Sequence, residues 1–224
     1  MNETKNNSIS NSLKETKQRR KSLACKTYEL KFDMSSMSNK KFETLNQLFK
    51  EAKWLYNHIL SLNETEDFDI FKFNPLIKKV TILDKEKNKI EKDLTLIGSQ
   101  IKQSVHNRML DSIKGLAELK KKGFKVGKLK FRSCLNSIPL KQFDVTYRFH
   151  PSKNNYVRIQ NVKGYFKVNG RKQIPQDAEL ANATIIKKNK NFYLMITAFV
   201  PKETKYFQEK SVGIDFGIES TIKA

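Results

Sequence analysis

The sequence predicts an α+β protein in which a small β-barrel-like domain carries an inserted group of helices. A lone alternating segment at 24–32 precedes amphipathic helices, and a run of short alternating segments begins near residue 143. In the lone segment, Tyr28, Leu30 and Phe32 share one face, which is the two-residue period of a half-buried strand. Turns rich in Pro, Gly and Asn separate the later strands. We predict these strands at about 143–149, 155–160, 164–168, 182–188 and 191–199.

Two amphipathic helices are predicted between the lone strand and the later ones. The first spans about 39–61, where apolar residues recur at spacings of three and four after a Ser- and Asn-containing cap. The second runs from about Ile97 to near Gly123 and has an apolar stripe along one side. Between them, an acidic loop ends at Pro75, and the charged segment that follows to Asp93 has only a weak helical pattern.

The net charge indicates a polyanionic partner. The 224 residues include 44 Lys and Arg but only 23 Asp and Glu, which gives a formal charge of +21. Lysine and arginine displace counterions from nucleic acids and so supply most of their binding affinity. The codon bias of an AT-rich genome is one alternative, and an anionic membrane surface is another. No apolar run approaches the roughly 18 residues that span a bilayer, so we expect a soluble protein.

The cysteines and the first 22 residues indicate a cytoplasmic protein. Cys25 and Cys134 are far apart and neither belongs to a CxxC pair, so no zinc site or disulfide framework is indicated. The first 22 residues are polar and lack the hydrophobic segment of a secretory signal. We predict that they form a flexible basic tail.

An acid-free stretch after the second helix is the first candidate nucleic-acid-binding segment. KKKGFKVGKLKFRS, residues 120–133, contains seven Lys or Arg, and the next acid is Asp144. Its aromatic residues could stack on bases while its cations contact phosphates. A solvated run of charge is the alternative interpretation. The candidate residues are Lys120, Lys121, Lys122, Phe124, Lys125, Lys128, Lys130, Phe131 and Arg132.

A second set of candidates lies on the predicted helices. Lys53, Lys102, Gln103 and Arg108 fall on polar helix faces, as does His58, although solvation explains each nearly as well. Trp54 and Tyr56 point in different directions, so we predict Tyr56 in the core and keep Trp54 as a candidate. His58, His106 and His150 lack the spacing of metal ligands or of a catalytic triad.

The stretch VGIDFGI, residues 212–218, holds the candidate catalytic residue. Alternation places Val212, Ile214 and Phe216 on one face and Asp215 on the other, with glycines on both sides of the acid. The missing side chains leave room for a hydrated divalent cation that carries a phosphate. One acid cannot form a two-metal site. A turn-forming Asp remains an alternative, as does the phosphate-binding turn of the sugar-kinase, actin and heat-shock ATPase superfamily.

Three stretches together resemble the TnpB (OrfB) family of insertion-sequence transposon proteins. These are RNA-guided DNA nucleases similar to the miniature type V CRISPR effectors. AKWLYNHIL (52–60) looks like the family's aromatic–Tyr–Asn helix, VGKLKFRS (126–133) like its Gly-x-Pro-x-Phe-Lys-Ser segment, and VGIDFGI like the first strand of its RuvC nuclease. Leu129 stands where the family usually has Pro, and Arg132 where it has Lys.

The resemblance implies a domain organisation. Residues 1–22 are the basic tail, 23–34 with 136–208 a wedge-like β-domain, and 35–135 an inserted helical recognition lobe with the basic segment. Residues 209–224 are then only the first strand of a truncated RuvC (RNase H-like) domain. Guide RNA and target DNA are the implied partners, in a prokaryotic, nucleoid-associated setting.

The resemblance also implies Mg²⁺ as cofactor of the complete family nuclease, with Asp215 as the first of three carboxylates and metal ligands. For this chain alone we expect no cofactor and no RuvC activity. One interpretation is therefore a part of an RNA-guided DNA endonuclease. The alternative is a stand-alone, catalytically dead RNA-guided regulator or repressor. A transposase with a nucleophilic Tyr is disfavoured, since the sequence has no His-x-His pair.

Overall fold

The computed structural model describes residues 2–63, 69–84 and 86–202, with side chains from residue 11 onwards. Residues Cys25–Val200 form one compact unit, and the described residues 2–24 and 201–202 belong to another. In order the elements are α1 (Asn2–Lys21), β1 (Leu23–Phe32), α2 (Asn39–Leu62), β2 (Lys79–Leu83), β3 (Lys89–Asp93), α3 (Ser99–Lys121), β4 (Ser137–Leu140), β5 (Tyr147–Phe149), β6 (Tyr156–Ile159), β7 (Phe166–Asn169), β8 (Glu179–Lys188) and β9 (Asn191–Pro201).

The protein is mixed α and β, as predicted, and its main sheet is a nearly closed barrel. The seven strands are ordered β4-β8-β9-β1-β7-β6-β5, and each pair with a described register is antiparallel. The lone predicted strand β1 therefore lies inside the sheet formed by the later strands. α2, α3 and the β2–β3 hairpin are inserted in sequence between β1 and β4. The predicted domain boundaries themselves stay a prediction.

A short turn closes most of the gap between the two edge strands, β4 and β5. Within residues 141–146, the amide of Phe143 donates to the carbonyl of Ala181 on β8 at 3.1 Å. The Tyr147 hydroxyl donates to the same carbonyl at 3.0 Å. Thr146 is fully buried and bonds Gln142 through both side chain and backbone. These bonds bring the beginning of β5 close to β8, although the two strands are not paired in the sheet.

The core lies between the sheet and α2. Phe192 on β9 contacts Phe32 on β1 at a ring-centroid distance of 6.3 Å and Phe49 on α2 at 5.8 Å. The apolar face of α2 contributes fully buried Leu45 and Leu55. Burial of side chains of this size stabilises the fold by about 1.5–3 kcal/mol each. The α2 helix is therefore held against the sheet by its apolar side, and its polar side faces outwards.

Both predicted long helices are confirmed, and local signals explain their ends. Ser38 caps α2, since its side chain accepts from the amide of Lys41. At the end of α3, Gly123 has φ +84°, its amide donates to the Lys120 carbonyl, and the amide of Phe124 donates to the Leu119 carbonyl. This pair of bonds is a Schellman motif, which needs the left-handed conformation that glycine adopts without strain.

The weakly helical assignment for the segment before Asp93 is wrong, because it contains the β2–β3 hairpin. Val80 is buried and its neighbour Lys79 is exposed, which is the alternation of a strand. Asp84 stabilises the turn, since its carboxylate accepts from the amide of Asn88 at 2.8 Å. The many charged residues of the hairpin obscure its two-residue period.

Two further assignments are corrected. The strand predicted from residue 143 begins only at Tyr147, since Asp144 has φ +63° within the closing turn. The edge strand β4 was not predicted. In the other unit, residues Asn2–Lys21 form helix α1, whereas the sequence predicted a flexible tail. Its lysines, arginines and glutamates favour a helix, but the absence of an apolar stripe hid it.

Candidate nucleic-acid interface

An open cleft of about 1050 Å³ lies along the polar side of α2. One wall is the helix from Lys40 to Lys53, and the others are residues 133–136 and the β8–β9 turn. Phe42, Phe49, Leu96 and Leu135 provide its apolar surface, and Asn46, Gln47, Asn136 and Asn189 provide amide groups. A cleft that combines apolar and amide surface can contact both bases and backbone of a nucleic acid.

The charge of the cleft is strongly positive. Its lining includes five lysines, Lys40, Lys50, Lys53, Lys187 and Lys190, against one acid, Glu43. The Nζ of Lys187 is held in place, because it donates to Asn46 Oδ1 at 2.6 Å and lies 6.0 Å from the Phe192 ring centroid. Clefts lined by one sign of charge focus the field and attract counter-ions of the opposite sign.

The acid-free segment leads directly into this cleft. Residues 124–136 form neither helix nor strand, and residues 133–136 of the same stretch line the cleft. Phe124 is 61% exposed and Phe131 is 53% exposed. Exposed aromatic rings among cations are the arrangement that stacks on bases while the cations contact phosphates.

Most cations of the segment are free of partners in the part of the chain that the structure describes. Lys121 pairs with Glu118 at 3.0 Å, and Arg132 lies 5.9 Å from the Tyr56 ring centroid. The others are exposed and have no ion pair with a described residue: Lys120, Lys122, Lys125, Lys128 and Lys130. Their charge is therefore available to an external ligand.

A reciprocal hydrogen bond fixes the end of the segment to α2. The amide of Arg132 donates to Asn57 Oδ1 at 2.8 Å, and Asn57 Nδ2 donates to the Arg132 carbonyl at 2.9 Å. The two residues are 75 positions apart in sequence. This bond joins AKWLYNHIL and VGKLKFRS, two stretches that the sequence analysis considered separately. Asn57 therefore orients the backbone between Phe131 and Ser133.

The helical candidates divide between the cleft and the interior. Lys53 lines the cleft, and Trp54 is partly buried against the core. Tyr56 is buried, as predicted. His58 is half-buried, with Nδ1 3.2 Å from the Thr81 amide nitrogen, and burial lowers its pKa.

Lys102 does not lie on an exposed helix face, contrary to the prediction. It is 5% exposed, its Nζ donates to the Ile77 carbonyl, and burial lowers its pKa. Near it, Glu51 is 1% exposed and accepts from the Leu96 amide at 2.8 Å. The polar side of α3 is covered here by the segment around the β2–β3 hairpin, which the sequence pattern did not reveal.

The other two α3 candidates are at the surface but have protein partners. Arg108 donates to Ser137 Oγ at 3.0 Å and to Thr184 Oγ1 at 3.2 Å, so it connects α3 with β4 and β8. Gln103 Oε1 accepts from Lys141 Nζ at 3.4 Å. These contacts give both residues a role in holding α3 to the sheet.

Four of the cleft lysines were not among the residues predicted from the sequence. Lys40 and Lys50 lie on α2 with Lys53, at separations that bring them to one side of the helix, so a helical projection could have found them. Lys187 lies near the end of β8 and Lys190 in the β8–β9 turn, and nothing in the sequence indicates that this part of the sheet reaches α2.

The candidate catalytic residue and Mg²⁺ ligand Asp215 lies outside the described residues. In the described part of the chain, no group of three or more His, Cys, Asp or Glu has an arrangement suited to a metal ion.

Every helix among the described residues is too polar or too short to span a bilayer. The chain matches no family model and has no significant match among curated proteins.

Proposed function

We propose that the chain is the nucleic-acid-binding portion of a TnpB-like, RNA-guided DNA endonuclease, and that guide RNA and target DNA are its ligands. The observation that carries the proposal is that the acid-free segment, with its exposed lysines, runs into the lysine-lined α2 cleft at residues 133–136. The segment supplies five exposed lysines without an ion pair to any described residue and two exposed phenylalanines, and the cleft supplies five more lysines. Such a surface binds phosphate and bases together.

The chain order supports the finer assignment. β1 belongs to the same sheet as β4–β9 although α2 and α3 are inserted between them. In this proposal the sheet corresponds to the family's wedge domain and grips the guide-RNA scaffold. The inserted helices correspond to the recognition lobe. Asp215 is the first RuvC carboxylate, which in a complete site binds Mg²⁺ with two others.

The Asn57–Arg132 junction adds support from two of the stretches that carry the resemblance. A bond that fixes the acid-free segment to α2 reduces the conformational freedom that a ligand must remove on binding. The segment and the cleft can therefore bind one strand as a single surface.

The first experiment purifies the full chain from its native host, isolates the bound nucleic acid and sequences it. We expect a discrete RNA that maps beside the gene. Recovery of no nucleic acid, or of random cellular RNA in proportion to its abundance, contradicts a guided function.

A second experiment measures binding of that RNA as a function of salt. We expect replacement of Lys120, Lys122, Lys125, Lys128 and Lys130 by Gln to reduce the slope of log K against log salt by roughly 3–4, at about 0.7 per neutralised single-stranded phosphate. Gln at five exposed lysines elsewhere, Lys72, Lys87, Lys89, Lys114 and Lys172, is the matched control. Equal slopes for the two variants exclude the segment from binding.

A further inference from the structure

Two arginines face each other on the β5–β6 hairpin, away from the cleft residues. Arg148 and Arg158 are directly opposite in the antiparallel register. Their sequence neighbours Tyr147, Val157 and Ile159 are buried, so the alternation places both arginines on the outer face, where they are exposed. Opposite positions bring the two Cβ atoms to within about 4.5–5.5 Å.

Neither guanidinium is paired with an acid within the described part of the chain. No ion pair or hydrogen bond joins either arginine to a described residue. By contrast, Arg108 and Arg171 each hydrogen-bond to protein atoms. Like charges directly opposite in a sheet destabilise it. The hairpin therefore carries a repulsion that an anion between the two side chains can relieve.

The arginines line a cavity that is suited to a small anionic group. Its volume is about 230 Å³, and Asp144, Gln160 and Asn161 also contribute to its lining. Drug-sized ligands occupy pockets of roughly 300–1,000 Å³, so the cavity takes a smaller group. Asp144 is the single acid of this lining against two arginines, so the formal charge of the lining is positive. Planar guanidinium groups match the geometry of phosphate oxygens and bind them through paired hydrogen bonds.

We propose that Arg148 and Arg158 together bind one phosphate group in this cavity. Each guanidinium donates hydrogen bonds to phosphate oxygens, and the shared negative charge removes the repulsion between the side chains. The phosphate chemistry follows from the charge, the paired forks and the size of the cavity. Its assignment to a nucleic-acid strand, rather than to free phosphate, rests on the proposed function.

Whether a nucleic-acid strand supplies the phosphate is tested with the full chain and a labelled single-stranded RNA, titrated at several KCl concentrations. Because one phosphate is shared, we expect the double variant Arg148→Gln, Arg158→Gln to lower the salt slope by about 0.7. The variant Arg148→Lys, Arg158→Lys keeps the charge but loses the forks, so it should keep the slope and bind several-fold more weakly. The control, Lys89→Gln with Lys114→Gln, removes the same charge from exposed positions and should leave the slope unchanged.

Whether free phosphate occupies the site is tested by titrating the same proteins with inorganic phosphate, with chloride at matched ionic strength as the control. The arginine Nε–Hε signals are followed by NMR. We expect saturable shifts at Arg148 and Arg158 and none at Arg108. A saturable shift without a slope change assigns the site to small phosphates. If the wild-type chain binds no RNA, the proposed function fails and the phosphate titration alone decides the site. If the salt slope does not change and no saturable shift is seen, the proposal is overturned.

Discussion

Helices α2 and α3 have similar lengths and similar amphipathic patterns, yet they use their cations in opposite ways. On α2, Lys40, Lys50 and Lys53 line an open cleft. On α3, Lys102 is buried against the Ile77 carbonyl and Arg108 bonds β4 and β8 through side-chain hydroxyls. What packs over the polar side of a helix therefore decides whether a cation stays open to an external ligand or bonds to the protein.

Among the variants of the two helices, the largest expected effect is on RNA binding by the α2 cleft. Replacing Lys40, Lys50, Lys53 and Lys190 by Gln removes four charges from one surface while leaving Lys187 bonded to Asn46. If each contacts one single-stranded phosphate, the salt slope falls by up to roughly 3. Titration of labelled RNA over a range of KCl concentrations measures it.

The control for the cleft variant replaces Lys87, Lys89, Lys114 and Lys172, which are exposed elsewhere. Both variants should keep the thermal midpoint of the wild type, since none of these side chains is in the core. A slope equal in both variants means that only net charge matters and that the cleft is not an interface.

The next effect is on stability and concerns the buried cation of α3. Lys102→Ala leaves the Ile77 carbonyl without its donor, and an unsatisfied buried polar group costs about 1–3 kcal/mol. Urea denaturation should show this loss, whereas Lys114→Ala at an exposed position of the same helix should show almost none. Unchanged stability together with a reduced RNA salt slope would mean that the α3 face binds ligand after all.

A smaller effect on RNA affinity is expected at Asn57, which positions the acid-free segment but carries no charge. Asn57→Ala removes both bonds to Arg132 but no cation, so we expect weaker RNA binding with an unchanged salt slope and a loss of roughly 1–2 kcal/mol of stability. Asn57→Asp keeps an acceptor for the Arg132 amide and should have an intermediate effect. Wild-type affinity in Asn57→Ala would show that the junction does not position the segment.

The comparison also shows what sequence patterns can predict. The bounds of α2 and α3 follow from apolar spacing and from caps such as Ser38 and Gly123, which act within a few residues. The burial of Lys102 does not follow from such local signals, because it depends on a hairpin from a different part of the chain. The edge strand β4 was missed because it contains Pro139, which is tolerated at a sheet edge but weakens any strand pattern.

The candidate site was predicted only in part for the same reason. The acid-free segment is visible in the sequence, since its composition is local. The cleft is not, because it joins α2 to the β8–β9 turn, and the two arginines at 148 and 158 became neighbours only through the register of β5 and β6. Long-range pairing therefore carries most of the information that the sequence patterns lacked.

The stability of the fold is also expected to depend on pH through His58. Burial lowers its pKa below the ordinary value of about 6.5, so the unfolded chain takes up the proton first as the pH falls. The stabilisation by neutral His58 is thus complete above about pH 6.5 and is lost below it, with a slope of at most about 1.4 kcal/mol per pH unit.

Urea denaturation at pH 7.5 and pH 5.0 tests the His58 contribution. The pH dependence should be smaller in His58→Asn than in His150→Asn, because burial lowers the pKa of His58. Identical pH dependence in the two variants would remove His58 from the account.

The smallest expected effect is on the arginine pair. Arg158→Thr removes one of two like charges in opposite positions and introduces a residue that favours strands, so stability should rise by about 0.2–1 kcal/mol at low salt. The gain should shrink in 1 M salt, where the charges are screened. Thermal unfolding at the two salt concentrations measures the difference, and a loss of stability at low salt would argue against an uncompensated repulsion.

The most direct test of the central claim is photo-crosslinking of 4-thiouridine RNA to the full chain, with the crosslinked peptides identified by mass spectrometry. The account predicts crosslinks within residues 124–136 and 187–190, where the exposed phenylalanines and the cleft lie. Crosslinks concentrated on α3 around Gln103 and Arg108, with none in those two ranges, would contradict it.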